Sequence, residues 1–184
     1  PLGSRFCEQG VSVFRVTGSF RMDRGLLYFS SGSGGTFTSG ADLRVAGDFL
    51  LEGGSIDASV AYSNRVGDLY LEGKGNQRFL NSGQVVGSFH YHLAAGSTVT
   101  IPDGNVMVGT TLEVGDANGG ATLVVQSTDP AGAIQKGTTA GGNIRVRNQY
   151  WKSGSVAVYG GSKRQFISSD HPSTMGVQTM ISNP

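Results

Sequence analysis

Two histidines, two positions apart, are the residues of this chain best spaced for metal chemistry. His90 and His92 alternate with Phe89 and Tyr91, and this alternation of apolar and polar residues predicts a β-strand. Because successive side chains of a strand point to opposite faces, both imidazoles share one face. Imidazole is a ligand for zinc, copper and nickel, but no third ligand is evident, since His171 is far away in sequence. The favoured interpretation is two solvated histidines on an outer sheet, with a metal site as the weaker alternative and no cofactor expected.

A second group of residues has the chemistry of a ligand-binding surface. Tyr150 and Trp151 are adjacent, and Arg145 and Arg147 precede them at alternate positions. Aromatic rings beside basic side chains can stack on sugars or on a partner protein. The competing interpretation is that one ring of the pair fills the core while the other is exposed. These four residues are the predicted surface candidates for ligand binding.

Catalytic chemistry has weaker support. Glycoside hydrolysis needs two carboxylates about 5–10 Å apart, and the sequence shows no such pairing. The lone Cys7 has no adjacent histidine to activate it. We therefore predict that the chain is not an enzyme. The carboxylates that could serve such a reaction in principle are Asp23, Asp42, Asp48, Asp57 and Asp68.

The elements that position these residues follow from an internal repeat. Residues 14–27 recur without a gap as residues 43–56, at a spacing of 43 − 14 = 29. Phe14 aligns with Leu43 and Phe20 with Phe49. Apolar residues occupy every second position, and glycines separate the runs, which indicates a strand-turn-strand unit repeated along a solenoid.

A second self-match aligns residues 67–73 with residues 154–160, at a spacing of 154 − 67 = 87. It suggests a larger repeat of several windings. It also places Tyr70 and Tyr159 at outward positions. The residues predicted to face inward are Val16, Phe20, Val45, Phe49, Leu69, Leu71, Leu112, Val114, Val156 and Val158.

The predicted fold is all-β: a right-handed single-stranded parallel β-helix with essentially no helix. Residues 1–4 are interpreted as a cloning scar and residues 5–184 as one β-helix domain, a fragment of a longer repetitive protein. Short strands with frequent turns would also suit a sandwich or barrel, but the repeat favours the β-helix.

Composition agrees with a turn-rich β protein. The chain has 30 glycines among 184 residues, and its formal net charge is +1. This balance gives no basic patch of the kind that binds nucleic acid, and no apolar run approaches the roughly 18 residues of a membrane helix. Neither nucleic acid nor membrane insertion is expected.

Several segments resemble a known family. Val-Thr-Gly-Ser-Phe at 16–20, Val-Ala-Gly-Asp-Phe at 45–49, Gly-Asn-Gln-Arg-Phe-Leu-Asn-Ser-Gly at 75–83 and Ala-Gly-Ser-Thr-Val at 95–99 resemble the β-solenoid repeats of large surface proteins of Bacteroidota exported by the type IX secretion system. This chain departs from the family pattern at Asp48, where asparagine is common, and at Arg78, where threonine is common.

The resemblance implies a structural or adhesive segment of a bacterial cell-surface or secreted protein, a stiff rod that spaces or displays binding surfaces. Its expected partners are neighbouring repeats of the same chain, with surface glycans or host and environmental surfaces as further partners. The alternatives are a carbohydrate-binding solenoid and, with weaker support, a polysaccharide lyase or hydrolase, or a phage tail-spike segment.

Overall fold

The fold was analysed in a computed structural model that describes residues 4–5, 12–29, 41–58, 67–87, 89–137, 141–172 and 176–182. The described residues form β-strands joined by turns and contain no helix, as predicted. None of them forms a helix long and apolar enough to span a membrane. Cys7 and residues 1–3 of the predicted scar lie outside the described residues.

The strands form three parallel sheets. Sheet I has the order β1 (Ser4–Arg5), β4 (Leu26–Tyr28), β7 (Ser55–Ala58), β10 (Gln84–Gly87). Sheet II has the order β15 (Ile134–Lys136), β16 (Ile144–Trp151), β13 (Met107–Val114), β11 (Phe89–Leu93), β8 (Gly67–Leu71), β5 (Ala41–Val45), β2 (Ser12–Val16). Sheet III has the order β18 (Gln178–Ile181), β17 (Val156–Tyr159), β14 (Thr122–Val125), β12 (Thr98–Ile101), β9 (Asn76–Asn81), β6 (Phe49–Leu51), β3 (Phe20–Met22).

Most consecutive strands enter different sheets, and most strands pair with a strand of the next repeat. Two consecutive pairs share a sheet: β15 and β16 lie side by side in sheet II, and β17 and β18 in sheet III. The predicted 29-residue repeat is confirmed as the register of the first two repeats, because Phe14 lies beside Leu43 and Phe20 beside Phe49. Strands β4 and β7 pair at the same spacing. One departure from chain order occurs at β15, which lies beyond β16 at the edge of sheet II.

One hydrophobic cluster collects residues from all three sheets, among them Leu27, Leu43 and Phe49. Like residues stack on like: the rings of Phe20 and Phe49 lie 5.3 Å apart, and those of Phe49 and Phe79 lie 5.0 Å apart. Most of the predicted inward residues are buried in this cluster. They are Val45, Phe49, Leu69, Leu71, Leu112 and Val114. Val16 and Phe20 pack against it from the end of their sheets and are partly buried.

The prediction for β17 was wrong. Val156 and Val158 are only partly buried, whereas Ala157 and Tyr159 are 0% and 1% exposed. The same shift of one residue places Tyr159 in the core and not at an outward position. The cause is the pairing with β14, which sets Ala157 beside the buried Leu123. A slip of one residue exchanges the two faces of a strand.

The 87-residue self-match failed because it aligned a strand of sheet II with a strand of sheet III. Two turns in this region are equivalent in structure, because in each one a glutamine side chain bonds to the backbone. We call this arrangement a glutamine corner, and the two glutamines are 165 − 77 = 88 residues apart. The Gln77 Oε1 accepts the Gly73 N–H at 2.7 Å, and the Gln165 Oε1 accepts the Gly161 N–H at 2.8 Å. Each amide Nε2 donates to backbone carbonyls of the preceding repeat.

Candidate functional site

The solvent-facing side of sheet II carries a row of polar and aromatic side chains in register across six strands. We call this the outer row: Arg15, Arg44, Tyr70, His92, Glu113 and Tyr150. Strands β8 and β11 alternate strictly between buried and partly buried positions, so their apolar residues face the core. The polar residues between them must therefore face outward.

The two predicted histidines lie on this face, opposite Phe89 and Tyr91, which are 2% and 1% exposed. His90 pairs in register with Asp68 of the neighbouring strand. The Asp68 Oδ1 lies 2.8 Å from the His92 Nε2 and 3.7 Å from the His90 Nδ1. The sequence shows no third ligand beside the histidines, and the structure supplies Asp68.

A second carboxylate lies on the opposite side of the same imidazole. The His92 Nδ1 is 3.0 Å from the Glu113 Oε2, so each ring nitrogen faces a carboxylate oxygen. Burial of the ring opposes protonation, but the hydrogen bonds to Asp68 and Glu113 outweigh it and raise the pKa of His92 above 6.5.

The outer row continues on the other side of His92. The rings of Tyr70 and His92 stack at 4.3 Å, and the Arg44 guanidinium lies 4.0 Å from the centre of the Tyr70 ring. Arg44 also contacts Asp42 at 3.3 Å and Glu72 at 3.4 Å. The row is thus a continuous stack of cation, phenol and imidazole, with carboxylates along its edges.

A groove of about 300 Å³ runs beside this stack. Its polar lining comes from Arg44, Tyr70, Glu72, His92, Glu113 and Asp116. The lining presents hydrogen-bond donors, hydrogen-bond acceptors and aromatic faces together.

The structure separates the four predicted ligand-binding residues. Tyr150 is 53% exposed at the end of the outer row, while Trp151 is 7% exposed and donates its Nε1–H to Gln149 at 3.2 Å. One ring of the pair is therefore in the core and the other in solvent. Arg147 is exposed. Arg145 is partly buried and lines a separate groove of about 250 Å³. The ligand-binding role of these residues stays a prediction.

Three of the carboxylates considered for catalysis have defined partners. Asp42 and Asp68 lie in register on β5 and β8, with Asp42 bound to Arg44. Asp48 accepts hydrogen bonds from the Arg78 side chain at 2.7 and 2.9 Å. Asp68, the carboxylate that joins the two histidines, was considered in the sequence only as a catalytic acid.

Comparison with known proteins adds no relative, because no protein-family model, curated protein or solved structure matches the chain. The class is therefore defined by structure: an all-β protein of three parallel sheets around a shared core. Its distinguishing features are the outer row of sheet II and the cluster of Asp68, His90 and His92, which shares His92 with that row.

Proposed function

We propose that this chain is a segment of a right-handed single-stranded parallel β-helix that acts as a stiff rod on a bacterial cell surface. The observation that carries the proposal is the parallel pairing of neighbouring strands in all three sheets, most of which come from successive repeats. Such stacking makes stability a sum of contacts between neighbouring repeats, so the structure can be extended along one axis. The extracellular setting rests on the resemblance of the repeats.

The side-chain stacks support a mechanical role. Phe20, Phe49 and Phe79 form a continuous column of rings with interplanar angles of 13° and 12°. The glutamine corners add hydrogen bonds between the turns of neighbouring repeats. A force along the axis must break many backbone bonds and ring contacts together, which favours rigidity.

Single-molecule pulling between the two ends of the chain tests this proposal. We expect discrete ruptures that release one repeat at a time, roughly 100 Å of contour length for the 29-residue repeat. Phe49→Ala should lower the rupture force of the first repeats, while Arg24→Ala, on an exposed turn residue, should leave it unchanged. Smooth extension at the low force of an unfolded chain would contradict a rod function.

A second candidate function is glycan binding, and the position of Tyr150 favours it. Tyr150 is 53% exposed and lies at the end of a row that already stacks aromatic and cationic groups. Exposed tyrosine rings beside hydrogen-bonding groups are well suited to the apolar faces of sugars.

A screen of the purified chain against a glycan panel tests this second function. Saturable binding that is lost in Tyr150→Ala and kept in Met180→Ala would locate the site, since Met180 is equally exposed, at 52%, but lies on sheet III. Trp151→Ala is unsuitable for this purpose because it would leave a cavity in the core. Binding that survives Tyr150→Ala would exclude this site.

A further inference from the structure

We propose that Asp68, His90 and His92 form a binding site for a borderline divalent cation such as Zn²⁺, with Glu113 as the residue that orients His92. The site joins strands β8 and β11 on the outer face of sheet II. It is independent of the rod proposal, since it depends on three side chains and not on the length of the stack.

The ligand atoms are already close to the spacing that zinc requires. One atom each from Asp68, His90 and His92 lies within 4.8 Å of the other two. Tetrahedral zinc with bonds of about 2.0–2.1 Å separates its ligands by about 3.3 Å. The Asp68 oxygen is 2.8 Å and 3.7 Å from the two imidazole nitrogens, on either side of that value. Small side-chain rotations of these partly exposed groups would complete the geometry.

The hydrogen-bond arrangement of His92 supports the same conclusion. Its Nδ1 faces Glu113 and its Nε2 faces Asp68. A neutral imidazole carries one N–H and can donate to only one of two carboxylates. When Glu113 accepts the Nδ1–H, the Nε2 lone pair points at the carboxylate oxygen of Asp68. A cation between them turns this repulsive contact into two metal-ligand bonds.

This is the arrangement in which a carboxylate holds a metal-binding histidine in the correct tautomer. Here Glu113 has that positioning role, and the strand pairing of His92 with Glu113 fixes it. Three protein ligands leave at least one coordination position for water or for a donor group from a partner. The side chains of Asp68, His90 and His92 are 20%, 28% and 17% exposed, so this position opens to solvent.

The mixed nitrogen and oxygen ligand set also defines which metals should bind. Zn²⁺, Ni²⁺, Co²⁺ and Cu²⁺ accept imidazole readily, whereas Ca²⁺ and Mg²⁺ prefer sites made of oxygen. Excess Ca²⁺ should therefore not displace bound Zn²⁺.

Calorimetric titration of Zn²⁺ into the full chain tests the proposal, without a polyhistidine tag and in a Cys7→Ser background that removes the only thiol. We expect one saturable site per chain, together with a rise in melting temperature on addition of Zn²⁺. His90→Ala and Asp68→Asn should each weaken binding at least tenfold, and Glu113→Gln should weaken it by roughly 10–100-fold. His171→Gln is the matched control and should bind as the parent does.

A spectroscopic readout keeps the test independent of variant folding. Co²⁺ bound to the parent chain should give the visible absorption of a low-coordinate nitrogen and oxygen site, and Zn²⁺ should abolish it by displacement. Two outcomes would overturn the proposal. One is the absence of saturable Zn²⁺ or Co²⁺ binding to the parent, and the other is full binding by a folded His90→Ala, His92→Ala double variant.

Discussion

Gln77 is 2% exposed, and its side-chain amide is bound on both sides. The Oε1 accepts the Gly73 N–H at 2.7 Å, and the Nε2 donates to the carbonyls of Val45 at 3.0 Å and Gly47 at 2.5 Å. Gly47 and Gly73 lie just after strands β5 and β8, and Val45 is the last residue of β5, where its carbonyl also accepts the Glu72 N–H at 3.0 Å. The Gln77 side chain thus supplies, at the turn, hydrogen bonds between repeats like those that backbone pairing supplies within the sheets.

Gln77→Ala should lower the free energy of unfolding by about 3 kcal/mol, from three hydrogen bonds of about 1 kcal/mol each. Urea unfolding measures the change. Gln77→Met keeps the volume but not the bonds, so a similar loss in both variants would assign the effect to hydrogen bonding. A Met variant as stable as the parent would contradict this assignment. Gln165→Ala should cost less, because Gln165 is only partly buried.

The carboxylate of Asp116 has an equivalent role in another turn. Its Oδ2 accepts the Ala95 N–H at 3.0 Å and its Oδ1 accepts the Asn118 N–H at 2.7 Å. These backbone hydrogen bonds, first from Ala95 and then from Asn118, lower the pKa of Asp116 below 3.8.

A lowered folded pKa means that the charged form is bound more tightly in the native state. The contribution of Asp116 to stability is therefore present above pH 3.8 and is lost as the pH falls through the lower folded pKa. Asp116→Asn should be less stable than the parent at neutral pH, and the difference should shrink in acid. Urea midpoints measured for both chains across this range test the prediction, and a difference that does not change with pH would refute it.

The side chains of Asp48 and Arg78 form an ion pair, with an Arg78 nitrogen 2.7 Å from an Asp48 oxygen. Asp48 and Arg78 lie on adjacent repeats, and the Asp48 Oδ1 also accepts the Arg78 backbone N–H at 2.7 Å. The sequence alone does not bring these two residues together, because their contact depends on the register of β6 and β9.

At the scale of elements, what the sequence predicts depends on whether repeat length is constant. The inward positions Phe14 and Leu43 are 29 residues apart, and the gap-free alignment found them. The spacing then falls to 69 − 43 = 26 at Leu69, 91 − 69 = 22 at Tyr91 and 112 − 91 = 21 at Leu112. No single period describes the stack, so alignment at a fixed spacing cannot bring its later strands together.

This variation explains why the site was only half predicted. Alternation within one strand places His90 and His92 on the same face, because the rule is local. Asp68 belongs to the preceding strand of the sheet, and its distance from His90 along the chain is set by turn lengths that have no sequence rule. The sequence does show that Asp68 is a polar residue at an outward position of a strand. To recognise it as the partner of His90, however, one must know how the two strands are aligned.

The backbones of neighbouring repeats also approach each other closely at turns, as at Gly120. A Cβ atom at Gly120 would overlap the backbone nitrogen of Ser155, in the next repeat. Gly75 has nothing within 4 Å of the corresponding position. Both glycines lie in turns, and only the first is required by the stacking of repeats.

Gly120→Ala should therefore destabilise the chain by about 1–3 kcal/mol or more, because the backbones of two repeats must move apart. Gly75→Ala is the matched control and should change stability by less than about 0.5 kcal/mol. Thermal unfolding followed by circular dichroism measures both. Equal effects in the two variants would show that the close approach at Gly120 does not limit the packing of repeats.

At the scale of the whole molecule, a stack of parallel strands has two unlike ends. Among the described residues, β18 pairs only with β17, and all of its residues are exposed, including Met180 at 52% and Ile181 at 70%. At the other end, β2 carries Val13 and Phe14, which are 53% and 44% exposed. Within the part of the chain that the structure describes, both ends thus present apolar side chains beside strand edges that pair on one side only.

Unlike ends that both offer open edges favour head-to-tail contact between copies, which extends without closing. The isolated chain should therefore increase in mean mass with concentration, as measured by sedimentation velocity. A lysine on an edge strand discourages pairing, so Ile181→Lys should shift the chain toward the monomer.

Ile167→Lys is the control, since Ile167 is 48% exposed but lies outside the strands. If both lysine variants reduce association equally, general apolar exposure and not strand pairing is the cause. A parent chain that stays monomeric at every concentration would show that these ends are protected, and the stack would then be closed by its own terminal repeats.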